Sequence, residues 1–272
     1  MNKPIGVIDS GIGGLTVLTE LHRQLPDEQF IYLGDTLRCP YGTKTKEQVI
    51  QYTWELVNYL IQHDIKLLVI ACNTATAILL DDLKEKLSIP VIGVVNPGAR
   101  AAVQSTKTNS VGVIGTTNTV ESGAYANSLE VLNPAIETMS IACPKFVPMI
   151  EHGNVTGDPV KKIVQESLQP FQEMTNMDTL ILGCTHYPII QDIIEEVVGD
   201  HVTVLSSALE TATEVRSILT YSNTLHEPMN EPVEPIIYTT KEIQSFEKLK
   251  VILGQFAHIH LAKVQLNEQR TW

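Results

Sequence analysis

Two stretches are built to one plan: Leu67-Leu68-Val69-Ile70-Ala71-Cys72-Asn73-Thr74 and Leu180-Ile181-Leu182-Gly183-Cys184-Thr185-His186. Each is a short aliphatic run, then one small residue, then a cysteine, then side chains able to donate hydrogen bonds. An uninterrupted apolar run of this length, closed by polar residues, reads as a buried parallel strand opening into a loop. Open α/β sheets bind ligands in the loops at the carboxyl ends of their strands. Two thiols at equivalent strand ends therefore suggest one substrate handled from two sides.

The sequence around them repeats the same grammar. Ile5-Gly6-Val7-Ile8 leads into Asp9-Ser10-Gly11-Ile12-Gly13-Gly14, and a helix follows from about Leu15 to Leu25. Phe30-Ile31-Tyr32-Leu33 is the next strand, ending at Gly34-Asp35-Thr36, and a long helical pattern fills about Lys46 to His63. The helix after Cys72 runs to about Leu87, and Val91-Ile92-Gly93-Val94-Val95 reads as a further strand. Strands alternating with helices of this length predict βαβ units and a mostly parallel sheet. The pattern then restarts: Val111-Gly112-Val113-Ile114-Gly115-Thr116 echoes the first strand at an offset of 106 residues, and Cys184 echoes Cys72 at 112. The reading is an α/β protein of two similar domains, residues 1–95 plus 209–272 and residues 96–208. Asn96-Pro97-Gly98 is the expected crossover and Ser206-Ser207-Ala208 the return, with one more strand at Pro235-Ile236-Ile237-Tyr238.

A chain of 272 residues is long enough for two such cores. Hydrophobic residues make up 43% and charged residues 18%, the balance of an ordinary globular protein. A net charge of -12 disfavours nonspecific binding to nucleic acid or an anionic membrane surface. Met1-Asn2-Lys3-Pro4 runs straight into the first strand, so no export signal is expected, and no apolar stretch is long enough to span a bilayer. Cytoplasmic localisation and free thiols follow as expectations. The four cysteines, Cys39, Cys72, Cys143 and Cys184, form no C-x-x-C pair that would mark a metal or dithiol site. Cys39 and Cys143, each followed by proline, read as small packed hydrophobes.

The glycine-rich turn after Asp9-Ser10 lets the backbone come close to a ligand and offers a helix N-terminus to an anion. A dinucleotide site fits poorly: Thr16 stands where its third glycine belongs, and Asp9 would face a pyrophosphate. A small carboxylate is the better guest. Asn73-Thr74 and Thr185-His186 follow the paired cysteines at turns where helix capping alone accounts for either dipeptide. A helix N-terminus would also favour a thiolate. Thr116 and Thr119 are further candidate donors. His186, two residues from Cys184, would share its face in an extended segment and could relay its proton. Glu151, after Phe146-Val147-Pro148-Met149-Ile150, reads either as an acid/base helper or as the first solvated residue after a strand. Tyr41-Gly42 reads as a turn able to wall the pocket. No phosphate loop, nucleophile elbow or Schiff-base lysine stands out. Two thiols on opposite faces of a carbon suit a two-base proton transfer that inverts a stereocentre.

At these residues the chain resembles glutamate racemases. The matching segments are Asp9–Leu15, Asp35–Gly42, Ala71–Ala77, Val113–Thr116, Phe146–Pro148 with Glu151, and Leu182–Pro188, in order between about Ile5 and Val215. The resemblance implies two α/β domains with the active site in the cleft between them, no cofactor, no metal, and supply of D-glutamate for peptidoglycan. It implies Cys72 and Cys184 as bases for D- and L-glutamate respectively, Asp9 assisting Cys72, and His186 with Glu151 assisting Cys184. Ser10, Tyr41, Gly42, Asn73, Thr74, Thr116, Thr119 and Thr185 would line the substrate site, in a cytoplasmic homodimer. The chain departs from the family's pattern at Thr43-Lys44-Thr45, where a Pro-Arg pair is common, and at Ser206, where an aspartate often precedes the serine. An aspartate racemase of the same fold and a noncatalytic amino-acid-binding protein are the alternatives. A thiol hydrolase using Cys184 and His186 would leave Cys72 unexplained.

Overall fold

The aliphatic runs do form strands, and both are covered on both faces. In β3 (Leu67–Ile70), Leu67 and Val69 join one apolar cluster while Leu68 and Ile70 join another. That is why the run reads as continuous rather than alternating. The computed structural model describes residues 3–229, 231–241 and 260–266. Before β3 come β1 (Ile5–Asp9), α1 (Leu15–Gln24), β2 (Phe30–Gly34) and α2 (Lys46–Ile61). After it come α3 (Asn73–Lys86), β4 (Val91–Gly93), α4 (Val95–Ser105), β5 (Ser110–Gly115), α5 (Thr117–Glu121) and α6 (Ala124–Leu132). The chain continues with β6 (Glu137–Ala142), α7 (Phe146–Glu151), α8 (Asp158–Leu168), β7 (Thr179–Gly183), α9 (Gln191–Val198) and β8 (Thr203–Ser206). It closes with α10 (Ala208–Tyr221), β9 (Ile236–Thr239) and β10 (His260–Lys263).

The strands form two sheets, ordered β10-β9-β2-β1-β3-β4 and β6-β5-β7-β8. Among the described residues every strand pairing is parallel. The order β2-β1-β3-β4 in one sheet is the order β6-β5-β7-β8 in the other, so β3 and β7 hold equivalent places. In each sheet the chain steps from the first strand to one side and then returns to the other. The order therefore reverses between β1 and β3, and again between β5 and β7. Such reversals leave a crevice at the strands' carboxyl ends. The first crevice carries Asp9, Ser10 and Cys72; the second carries Thr116 and Cys184.

Helices cover both faces of both sheets. Leu15, Leu18 and Leu21 of α1 and Ala212, Val215 and Leu219 of α10 pack on one face of the first sheet, with α2 and α3 on the other. The α10 helix thus returns to the first sheet after the chain has built the second. The second sheet lies between α4 with α6 on one side and α7, α8 and α9 on the other. Helix α2 begins at a capping box in which Thr45 and Gln48 satisfy each other's backbone N–H groups.

Three expectations need correction. The strand read as Val91–Val95 ends at Gly93, and Asn96-Pro97-Gly98 lies in the first turn of α4 rather than in a crossover loop. Proline is tolerated there because the first N–H groups of a helix have no intrahelical acceptor. The same rule hid α7: Phe146-Val147-Pro148-Met149-Ile150 is a short helix, not a strand. Four of its apolar side chains are buried, and a short segment covered nearly all round shows no periodicity to read.

Leu182, 1% exposed in β7, packs among α7, α8 and α9 directly ahead of Cys184. Leu182→Ala is expected to lower the unfolding free energy by about 2–5 kcal/mol through lost burial and the cavity left behind. Urea denaturation with an unchanged m-value would show it.

Candidate active site

The two crevices face each other, and their polar residues meet across the gap. Asp9, at the end of β1, is 1% exposed. Its Oδ2 accepts the N–H groups of Gly11 and Gly14, both at 3.0 Å, and its Oδ1 accepts Thr185 Oγ1 from the other half at 3.3 Å. Thr16 Oγ1 donates across the same seam to the Thr185 carbonyl at 3.1 Å. Gly13 permits this approach: a Cβ there would lie 2.4 Å from His186 Nδ1 and 2.6 Å from Thr185 Oγ1. Gly42 does the same on the other flank, where a Cβ would lie 2.3 Å from Thr116 Cβ.

Ser10, Pro40, Tyr41, Gly42, Cys72, Asn73 and Thr74 from the first half line one pocket with Thr116, Val147, Cys184, Thr185 and His186 from the second. The pocket is narrow, with room for about 10 Å³, and every lining residue except Pro40 is buried. Most residues singled out in the sequence therefore converge on one chamber. Thr119, Asp9 and Glu151 stand behind it. Thr119 Oγ1 lies 3.0 Å from Thr116 Oγ1 and 3.2 Å from Thr74 Oγ1, which are themselves 2.9 Å apart. This hydroxyl triad ties α3 to α5. Tyr125 Oη donates to Asn73 Oδ1 at 2.7 Å, which leaves the buried Asn73 Nδ2 with no partner among the described residues.

The two thiols sit in different surroundings. Cys72 is the N-cap of α3, and its Sγ accepts the Ala75 N–H at 3.5 Å. The helix N-terminus was expected to favour its thiolate. Instead the thiol is pushed up to about 12. Burial is the main cause and the Asp9 carboxylate adds to it, outweighing the donors from Ala75 and Ser10. Asp9 itself is raised by burial. Cys184 meets no helix end directly: β7 is followed by a turn and a 3-10 segment, Tyr187–Ile190, before α9. That turn, closed by Tyr187 N–H donating to the Cys184 carbonyl at 3.1 Å, brings His186 Nδ1 to 3.9 Å from Cys184 Sγ. The pairing was expected from an extended segment; a turn makes it. His186 Nε2 then lies 2.6 Å from Glu151 Oε1 on α7. Burial opposes charge on the His186 ring, but its hydrogen bonds to Cys184 and Glu151 win and raise it to about 10.

Sequence reasoning missed the frame around the chamber. Asp35 is fully buried at the end of β2 and accepts Arg38 Nε at 2.6 Å, Tyr41 Oη at 2.6 Å and Thr240 Oγ1 at 2.9 Å. Arg38 also donates to Glu55 Oε2 at 2.5 Å and lies 4.0 Å from the Tyr52 ring centre. Asn118 Nδ2 donates to the carbonyls of Tyr41 and Lys44, at 3.0 and 2.8 Å, and so holds the Tyr41-Gly42 turn from the second half. Cys39 belongs here too, with its Sγ 3.9 Å from Glu151 Oε1. Burial and the Glu151 and Asp9 carboxylates hold that thiol far above its usual range. Only Cys143 keeps the plain packing role, its Sγ 3.9 Å from the Ile141 carbonyl.

Two parallel α/β halves that each bring a cysteine to one buried pocket are the architecture of a class of enzyme that holds a small molecule between them. The chain belongs to the Asp/Glu/Hydantoin racemase family, whose model matches residues 5–215. It is 51% identical to a glutamate racemase of Oceanobacillus iheyensis over 278 aligned positions, covering 100% of both chains. Its fold matches the crystal structure of glutamate racemase isoform RacE1 of Bacillus anthracis at a TM-score of 0.91, with 42% identity over 97% of this chain and 98% of that one. It matches the glutamate racemase of Francisella tularensis, solved in complex with D-glutamate, at 0.89, with 37% identity over 98% and 99%.

Two outcomes follow. Asp35→Ala leaves the Tyr41 hydroxyl and the Arg38 Nε–H without that acceptor, while Glu55 still pairs the Arg38 charge, and is expected to cost about 1–3 kcal/mol of stability in urea denaturation. His186 titrates near 10 when folded against 6.5 in the free side chain. Its contribution is therefore complete below pH 6.5 and is lost as pH rises through 10. An NMR titration of the His186 ring should show the raised midpoint, and Glu151→Gln should bring it down. A midpoint that Glu151→Gln leaves in place would remove Glu151 as a cause.

Proposed function

We propose that the protein interconverts L-glutamate and D-glutamate by two-base proton transfer at the α-carbon, with no cofactor. The observation that carries this reading is the pair of thiols, Cys72 and Cys184, lining one pocket from equivalent strand ends of two sheets. The curated relatives at 51% and 52% identity bear the name glutamate racemase, which favours glutamate over aspartate.

The residues divide the work as follows. For the L enantiomer, Cys184 takes the α-proton as a thiolate, with the positively charged His186 ring beside its Sγ to stabilise it and Glu151 orienting that ring. Cys72, held as a thiol by burial and by Asp9, delivers a proton to the opposite face. For the D enantiomer the roles reverse, and Asp9, which burial makes a stronger base, supports deprotonation of Cys72. The unpartnered Asn73 Nδ2 and the hydroxyls of Ser10, Thr74, Thr116 and Thr185 supply donors to the substrate carboxylates. Those donors stabilise the carbanion-like transition state. Thr119 fixes Thr74 and Thr116 from behind, while Tyr41 and Gly42 close the wall.

The same reading assigns residues 1–95 with 209–272 to one domain and 96–208 to the other. It makes the protein a cytoplasmic homodimer that supplies D-glutamate for peptidoglycan. Among the described residues no helix is long and apolar enough to cross a membrane.

The test is ¹H NMR of L-glutamate and of D-glutamate with the purified protein in D₂O, with circular dichroism in parallel. Loss of the α-proton signal and decay of ellipticity are expected without added cofactor. Cys72→Ala and Cys184→Ala should each lower kcat for racemisation by at least 10²–10⁴-fold, the usual worth of a positioned acid or base. Full activity in either variant would end the two-base mechanism. Exchange with aspartate and none with glutamate would move the substrate assignment.

A further inference from the structure

Cys39, Glu151 and His186 are brought together by the closure of the two halves, and the proton transfer described above leaves Cys39 without a task. One ligand-bearing atom of each lies within 4.8 Å of the others. Cys39 comes from the loop after β2 in the first half, Glu151 from α7 and His186 from the turn after β7 in the second. We infer that this thiol, carboxylate and imidazole form a binding site for a zinc-like divalent cation, and that the ion locks the enzyme in an inactive, closed state.

The donor set decides the class of ion. One sulfur, one ring nitrogen and one carboxylate oxygen suit zinc or cobalt, whereas magnesium and calcium take oxygen ligands. A tetrahedral zinc with bonds of about 2.0–2.3 Å holds its ligand atoms roughly 3.3–3.6 Å apart. Glu151 Oε1 now lies 2.6 Å from His186 Nε2 and 3.9 Å from Cys39 Sγ. The ion therefore needs the first contact to open and the second to tighten. The Glu151 side chain, 33% exposed, has the freedom to make that adjustment. Three protein ligands leave a fourth position for water.

No sequence motif announces the site, since its ligands lie far apart in the chain and in different halves. Its consequence is specific. The metal takes His186 Nε2 and the Glu151 carboxylate, the groups that support Cys184, and it fastens Cys39 to the opposite half. Binding of the ion does not depend on the proposed racemisation; the loss of turnover does.

The full-length protein, first treated with chelator under reducing conditions, is titrated with Co²⁺ alone. One equivalent is expected to give tetrahedral visible bands and a thiolate-to-cobalt charge-transfer band, all abolished by added Zn²⁺. Cys39→Ser should weaken binding at least tenfold and remove the charge-transfer band, while Cys143→Ala should leave it. Should Cys39→Ser fold poorly, Cys39→Ala is the second variant, and a Zn²⁺-induced shift of the His186 ring resonances in the parent is the independent readout. A charge-transfer band that survives Cys39→Ser and vanishes in Cys184→Ala overturns the assignment, as does the absence of any band. Cobalt binding in a protein that racemises nothing keeps the site and ends the functional reading; racemisation without cobalt binding does the reverse.

Discussion

Water is excluded from the seam where the carboxyl ends of two parallel sheets meet, and polar groups held there must find partners in one another. Asp9 shows what this demands. Its carboxylate is closed off by two backbone N–H groups of its own turn and by the Thr185 hydroxyl from the opposite half. The hydroxyl triad of Thr74, Thr116 and Thr119 and the Tyr125–Asn73 hydrogen bond answer the same requirement a few residues away. The bonds of Thr185 to Asp9, of Thr74 to Thr116 and Thr119, and of Tyr125 to Asn73 cross between the halves, so the chamber exists as a chemical environment only while the halves are together. Exclusion of solvent also strengthens each remaining electrostatic interaction. That is why the surroundings of the two thiols matter so much.

Those surroundings differ although the scaffold repeats. Cys72 and Cys184 follow the third strand of matching four-strand arrangements, yet one has a carboxylate beside it and the other an imidazole. Burial, with the Asp9 carboxylate adding to it, keeps Cys72 protonated. The buried imidazole near Cys184 holds positive charge because its hydrogen bonds to Cys184 and Glu151 outweigh the cost of burial. A reaction close to symmetric is thus served by a fold whose symmetry is broken in the side chains and kept in the strands.

The strands and the paired cysteines were legible because both rest on local signals. Aliphatic runs closed by a small residue report strands buried on both faces, and the restart at Val111 reports the second sheet. Helix α7 was not legible, because proline in a first helical turn and apolar residues all round erase the periodicity that marks a helix. The link from Cys184 to His186 was found for the wrong local reason, a strand in place of a turn, since spacing alone does not distinguish them. The expected low-pKa state of Cys72 failed because a capping position was weighed without the Asp9 charge and the burial around it. Asn118 and Tyr125 carry no local signature at all, and Asp35, Arg38 and Cys39 lie in a segment that marks the family without saying what each one touches. Each acts through partners that only the folded chain brings near.

Gly13 and Gly42 let the halves approach so closely that a Cβ at either would fall within 2.4 Å of the opposite half. If ligand exchanges with solvent only when the halves part, the proposed proton transfers happen in the intervals between partings. If those intervals are long, a molecule inverts many times before it escapes and leaves with either hand nearly at random. If they are short, most molecules leave as they came. On that footing the tightness of the seam, set by a few hydroxyl and glycine contacts, governs how much stereochemical memory survives each visit.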